Sequence, residues 1–457
     1  MTKPNMNLIA NSVLPALIAL LFLGGCVGEP RQPAQLPDLP AAWQRPAQGP
    51  VTAHWLAAFK APYLSALVDR AIAENHALAQ QRILLENARK QADLARAQRL
   101  PGLDLTLTGQ RGRTQAALSV TEQFELGAAL DFPLDLWGKL GDAEREAVLA
   151  LGAAQAGYQD AEHRLTAQVV SAGFDAQAAM QLLELFEQRL ANLLQFQDVI
   201  ESAYRSGLNP ALDVYLARNT VEQERANVAS QRQQSMQAVT TLELLLADYP
   251  DGRLQLDHAL PEYVPAGGAG APADLLRRRP DLRQSWLELL AADAGLAVAH
   301  KNRFPDFNLR AVVSDNNSAF RQLLDGGALA WTTAASLAQP LFQGGRLQAL
   351  HEQARLRVEQ AEHRYLEAVY NAFAEVENEL SRALTLEVRV LALRNARDNA
   401  EAALELALDQ YQRGLISYTT VLESQRRAFD AQTAVVQLRN QLLQSRVALS
   451  LALGGDF

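Results

Sequence analysis

The 457-residue sequence contains one cysteine, Cys26. A lone thiol has no partner within the chain, which excludes an intrachain disulfide framework and a cysteine-built zinc site. Histidine is sparse too: His54, His76, His163, His258, His300, His351 and His363 are dispersed, and no two stand at the i, i+4 spacing of a helical metal site. The glycine-rich "GGAG" at 267–270 lacks the Lys-Ser/Thr that follows a phosphate-binding loop, so it reads as linker. Basic charge is in deficit: the net charge of −9 provides no basic stripe and excludes a nucleic-acid partner. The one cationic run, Arg277 to Arg279, precedes Pro280-Asp281 and reads as a solvated turn at a helix start. No catalytic constellation and no metal site emerge, and no enzyme activity is expected.

Two absences are informative by position. No proline occurs between Pro133 and Pro210 or after Pro340, and Gly414 is the only glycine between Gly345 and Gly454. Stretches this free of breakers predict very long helices, running from Lys139 to about Tyr204 and from Arg346 to Tyr411. Such rods are about 100 Å long at 1.5 Å per residue, and a rod of that length is stable only when its apolar stripe packs on others. The composition, 49% hydrophobic and 20% charged, supports a large core. Past the apolar stretch Val13 to Leu23, no run is long enough for a membrane-spanning helix, so any crossing of a bilayer would use a β-barrel.

That first apolar stretch follows Lys3 and ends in Gly24-Gly25, the pattern of a secretory signal over residues 1–25. Leu23-Gly24-Gly25-Cys26 resembles a bacterial lipobox, in which the cysteine is lipidated and becomes the first mature residue; the other reading of Cys26 is an incidental thiol in a discarded leader. Several acyl chains would hold the protein firmly at a membrane. Val27 follows instead of aspartate, which in Gram-negative lipoproteins implies sorting to the outer membrane. Residues 26–61 are expected to form the lipidated N-terminus and an extended tether, rich in proline up to residue 50.

The remainder is duplicated. An offset of 204 aligns "QQRILLENARKQADLARAQRLPGLDL" (80–105) with "QSWLELLAADAGLAVAHKNRFPDFNL" (284–309). An offset of 207 aligns "PLDLWGKL" (133–140) with "PLFQGGRL" (340–347), and "YRSGLNPALDV" (204–214) with "YQRGLISYTTV" (411–421). The expected domains are a first repeat at 62–247, a linker at 248–272 and a second repeat at 273–457. Each repeat begins with a helix, roughly Pro62 to Arg99 and Ala273 to Arg303, stopped by Leu100-Pro101 and Phe304-Pro305.

Two alternating segments follow in each repeat, giving β-hairpins at about 103–134 and 307–342. Leu103, Leu105 and Leu107 oppose Asp104, Thr106 and Thr108; Phe124, Leu126, Leu130 and Phe132 oppose Glu125, Gly127 and Asp131. About ten tilted residues span a bilayer core as a strand, and a half-buried soluble sheet gives the same alternation. Each long helix then turns at Gly207 or Gly414 and returns to about Leu246 or Leu453, with Pro210 placed in the first turn of the returning helix.

Four segments, "HWLAAFKAPYLSALVDRAIAEN" (54–75), "RRRPDLRQSWLELLAADAGLAVAHKNRFPDFNL" (277–309), "QPLFQGGRL" (339–347) and "YQRGLISYTTVLESQRRAFDAQ" (411–432), are similar to those of the TolC/OprM-type outer-membrane efflux channels, in their NodT-like lipoprotein branch. The resemblance implies a mainly α fold with a small β part: a homotrimer whose protomers each give four strands to one twelve-stranded barrel, above a long α-helical barrel crossing the periplasm. It implies an exit duct of a tripartite efflux or secretion system, passing small molecules passively. The implied partners are a periplasmic adaptor (membrane fusion) protein, an inner-membrane pump and outer-membrane lipid, with no cofactor beyond the covalent lipid on Cys26.

The resemblance also assigns sites. Asp104, Glu125 and Asp131 fall in the pore-facing row. The turns at Gly207, Pro210 and Gly414 become the periplasmic tip, which opens like an iris. Asp213 and Tyr411 match positions whose side chains bond between neighbouring helices to hold the closed state in TolC itself, and Ile416 matches a position that carries an arginine there, so that tether is missing. Thr420 and Glu423 match the two acidic constriction positions, so a threefold ring of Glu423 is expected to favour cations. Asp213 and Glu423 are otherwise ordinary solvated helix residues. The competing function is a periplasmic coiled-coil structural lipoprotein or adhesin, which explains Cys26 and the rods but not the four alternating segments.

Overall fold

A computed structural model of the chain describes residues 40–44, 54–113, 120–256, 260–263, 268–323 and 329–455. Cys26 and the signal lie outside the described residues. The helices are α1 (Pro62–Glu74), α2 (His76–Ala97), α3 (Lys139–Arg205), α4 (Ala211–Leu245), α5 (Pro280–Lys301), α6 (Arg346–Gln412) and α7 (Tyr418–Ala452). The strands are β1 (Gly102–Gly112), β2 (Thr121–Leu134), β3 (Asp306–Asn317) and β4 (Leu329–Ala338). The duplication is exact in length: α3 and α6 each have 67 residues, and α4 and α7 each have 35. The strand of the second hairpin that the sequence places up to Leu341 ends at Ala338, just before Gln339-Pro340, because proline has no N–H for the ladder.

The expected single helix from Pro62 to Arg99 is two helices. Asn75 breaks it with an extended ψ of 123°, its Oδ1 accepting from Ala77 N–H at 2.9 Å and Leu78 N–H at 3.0 Å as an N-cap. Its Nδ2 donates to the Leu245 carbonyl, which fixes the kink against the end of α4. The corresponding helix of the second repeat is interrupted at Arg279, held extended by Pro280 behind it.

The strands form one antiparallel sheet in the order β1-β2-β3-β4, with β2 pairing β3 across the two repeats. The register puts Leu103, Leu130 and Ala311 in one row and Leu105, Ala128 and Val313 in the next, so one face is apolar. Asp104, Glu125 and Asp131 share the opposite face with Arg310, whose Nε lies 3.9 Å from the Asp131 carboxylate. β1 and β4 are the edges of the sheet among the described residues.

The main core lies beside the middle of α3. Leu165, Val169, Val170 and Phe174 pack against Leu64 and Val68 of α1, Leu242 of α4, and Leu443 and Val447 of α7. The tether contributes more than its composition predicts. Trp55, Leu56 and Phe59 join this core, with the Phe59 ring edge-on to Phe174 at 5.1 Å. Trp43 donates to the Gly270 carbonyl at 2.9 Å and lies 6.0 Å from the Phe373 ring. Large apolar rings supply what the surrounding prolines cannot.

The triple-arginine run also departs from expectation. Arg277 is exposed, whereas the Arg279 side chain is only 7% exposed. Its guanidinium forks onto Asp281 at 3.0 and 2.7 Å, and donates to Glu375 at 2.6 Å and to the Ala452 carbonyl at 3.1 Å. Burial opposes its charge, but Asp281 and Glu375 outweigh burial and hold it protonated; the same fork keeps the half-buried Asp281 carboxyl below the usual range. One side chain thus ties the start of α5 to α6 and to the end of α7.

Candidate functional site

The two helix turns have the same geometry. Gly207 and Gly414 adopt φ of +74° and +73°, a left-handed conformation that only glycine takes without strain. Gly207 N–H bonds Tyr204 O at 2.9 Å and Leu208 N–H bonds Ala203 O at 2.9 Å; Gly414 N–H bonds Tyr411 O at 2.8 Å and Leu415 N–H bonds Gln410 O at 2.9 Å. These are Schellman closures, which satisfy the last carbonyls of each rod. Pro210 is not inside the first turn of α4. It is the N-cap, with φ −75° and ψ 154°, matching Ser417 at φ −81° and ψ 157° before α7. Its carbonyl accepts Asp213 N–H as the Ser417 carbonyl accepts Thr420 N–H, both at 3.1 Å.

Between the turns lies an apolar cluster. Ile200, Val214, Ala217, Tyr418 and Val421 are buried, with Phe196, Tyr411 and Ile416 packed against them. The Phe196 and Tyr418 rings stack at 6.5 Å, and Tyr411 tilts against Tyr418 at 5.7 Å. Burial pushes the Tyr418 hydroxyl well above the usual phenol range, and the Tyr411 charge adds to it.

Asp213 and Tyr411 are brought near each other, but the hydrogen bond runs elsewhere. Tyr411 Oη accepts from Asn209 Nδ2 at 2.8 Å, linking the first turn to the end of α6. Among the described residues no donor reaches the Asp213 carboxylate, and burial raises its pKa. Tyr411 is raised by burial first and then by the Asp213 charge. Asn209 was not singled out in the sequence, where a contact 202 residues away leaves no local signal.

Glu423 is not a bare carboxylate. Arg426 reaches it at 3.1 and 3.0 Å and Arg427 at 2.8 Å, and these hydrogen bonds push its pKa down to about 2. Two guanidinium groups beside one carboxylate remove the basis for the cation preference expected of this position. The i, i+3 and i, i+4 spacing of Glu423, Arg426 and Arg427 is the signal that would have found the arrangement. Thr420 lies in the same shallow groove between α6 and α7, its Oγ1 3.3 Å from Ser417 Oγ.

Hydrophobic side chains crowd the outer surface of the tips. Leu208 is 79% exposed and Leu415 69%, with Leu212 and Tyr215 close behind on α4. Among the described residues no helix is long and apolar enough to cross a membrane, and no group of three or more His, Cys, Asp or Glu is placed to hold a metal ion.

The sequence pattern of the family described as outer membrane efflux protein matches residues 67–248 and 271–455. SrpC, a solvent efflux pump outer membrane protein of Pseudomonas putida, is 31% identical over 96% of this chain and 97% of its own length. OprJ, an outer membrane protein of Pseudomonas aeruginosa, is 30% identical over 97% of this chain and 95% of its own. The crystal structure of CusC superposes with a TM-score of 0.84 over 93% of this chain and 99% of that one, at 26% identity.

Proposed function

The chain belongs to the outer membrane efflux protein family and is an outer-membrane efflux channel, and we propose that it works as a lipid-anchored homotrimeric exit duct, docked at its helix tips on a periplasmic adaptor that links it to an inner-membrane pump. The observation that carries this reading is the open sheet. Its apolar face suits lipid, its opposite face carries Asp104, Glu125, Asp131 and Arg310 toward a lumen, and among the described residues neither edge strand has a partner on its outer side. Four strands cannot close a barrel, so cyclic association of several chains supplies the closure.

Transport through such a duct needs binding by no single residue, and the energy comes from the pump. Exposed Leu208, Leu212, Tyr215 and Leu415 form the apolar ends that an adaptor would cover. Within each protomer the Asn209–Tyr411 bond and the ring cluster hold the two helical hairpins together at the tip; release of these contacts permits the iris movement. Cys26 is proposed as the lipidated residue. A structural spacer is disfavoured because it has no use for a sheet with an apolar exposed face.

The test is single-channel recording of the purified full-length protein in planar bilayers. Stepwise currents are expected. Their absence from protein confirmed as trimeric would overturn the duct and return the reading to a periplasmic spacer.

A further inference from the structure

Inside one chain, the two repeats meet along a seam in which β2 pairs with β3 and α3 packs on α5. Near the base of the sheet this seam carries three locks. Trp137 Nε1 donates to the Pro305 carbonyl at 2.8 Å and its ring lies 5.5 Å from Phe304. Lys139 pairs with Asp306. Lys301 donates to Asp142 at 2.6 Å and to the Gly138 carbonyl at 3.2 Å. Beneath them, glycines make room for side-chain ends of the facing helix: a Cβ would stand 3.3 Å from Leu287 Cδ1 at Gly152, 2.9 Å from Gln284 Oε1 at Gly157 and 2.9 Å from Glu146 Oε1 at Gly295.

Among the described residues, no further strand pairs with the outer flanks of the same repeats. β1 and β4 are exposed along their whole length. Residues 341–346 are all exposed, while their counterparts 134–139 are mostly half-buried. Leu341 and Phe342 are each 89% exposed, and Ile83, Leu84 and Leu94 project unburied from α2.

We propose that a second copy covers this flank by repeating the in-chain seam, but without its locks, so that the ring of copies alternates tight and loose seams. The inference rests on the trimeric reading. Carrying the β2–β3 register across by the two offsets places β4 antiparallel to β1 of the next copy, with Leu337 opposite Leu107 and, past the end of the strand at Ala338, Leu341 abreast of Leu103. Both pairs are apolar on apolar, in agreement with the faces already assigned. The same transfer sets α6 against α2 of the next copy.

Every lock is absent at the transferred positions. Trp137 becomes Gly344, the Lys139–Asp306 pair becomes Arg346 with Gly102, and the Lys301–Asp142 pair becomes Ala97 with Ala349. Gly152, Gly157 and Gly295 become Glu359, Arg364 and Gln91, which leave no such room for facing side chains. The boundary between copies therefore depends on strand pairing and on leucine and isoleucine contacts, and it is the part of the wall that yields first.

The test builds the missing lock. Full-length protein carrying Ala97→Lys, Ala349→Asp or both is purified in detergent, and the temperature at which trimers dissociate is read on unheated and stepwise-heated gels. Both alanines are exposed in the protomer, so neither substitution burdens the fold. The double variant is expected to dissociate at a higher temperature than the sum of the single shifts allows. Additive shifts in a trimeric protein would overturn the seam while leaving the trimer intact; an absence of trimers in the unmodified protein would overturn both. The register has its own readout. Oxidation of Leu337→Cys/Leu107→Cys should link copies covalently, and linkage of Leu337→Cys/Leu105→Cys instead would overturn the transferred pairing.

Discussion

Asn209 donates a hydrogen bond to the Tyr411 hydroxyl at 2.8 Å, joining the first turn of the chain to the far end of the second rod. This bond and the rings around it join the two helical hairpins near the tip. A neutral hydrogen bond contributes about 1 kcal/mol, and the proposed trimer would make it three times. Asn209→Ala and Tyr411→Phe should each raise the resting conductance in planar bilayers. Because both remove the same bond, the double variant should conduct no more than the stronger single one. Additive increases would show that the two residues act separately.

Glu423 is expected to stay ionised far into acid. With its pKa near 2, held there by Arg426 and Arg427, ion selectivity measured from reversal potentials in a salt gradient should be flat from about pH 7 to pH 4. An unpaired glutamate would titrate near pH 4.3 and shift the selectivity within that range. Glu423→Gln frees two guanidinium groups and should move the selectivity toward anions at every pH tested.

Arg279→Ala leaves the half-buried Asp281 without its two-pronged partner and Glu375 without its single contact. Breaking a buried pair of this kind costs about 3–5 kcal/mol, read as a lower thermal midpoint by circular dichroism. Arg279→Lys should recover little, since an ammonium cannot make the two-pronged contact. The pH dependence follows from Asp281, whose folded pKa is depressed. Its contribution is fully present above the unfolded carboxylate value of about 3.9 and is lost as pH falls below that through the folded pKa. The difference in midpoint between wild type and Asp281→Asn should therefore be full at pH 6 and shrink only below about pH 4.

Cys26→Ser should abolish incorporation of labelled palmitate into the protein, with trimers retained because the barrel anchors independently. Continued labelling of the variant would refute Cys26 as the lipidated residue.

The rods were legible because their signals are local. Gly207, Pro210 and Gly414, together with the absence of proline within either rod, mark the ends of α3 and α6 within a residue or two, and the two offsets recover the pairing of the repeats. The strands were legible from a period of two. What escaped was decided by contacts distant in sequence. Asn75 interrupts a continuous helical pattern because the Leu245 carbonyl is there to receive its amide. Arg279 resembles its neighbours Arg277 and Arg278 and differs only in facing Asp281 and Glu375. Trp43 sits among prolines that predict no packing, and Phe373 supplies it.

The equal lengths of the paired rods, 67 with 67 and 35 with 35, act as a ruler. Adding one residue to a single rod would advance its tip by about 1.5 Å and rotate everything beyond by about 100°, turning buried faces outward. The halves have therefore been free to drift in side chains and not in length. The offset changes from 204 to 207 only between β3 and the segment after β4, so the second repeat places its three extra residues in its hairpin, where added chain shifts neither helix end.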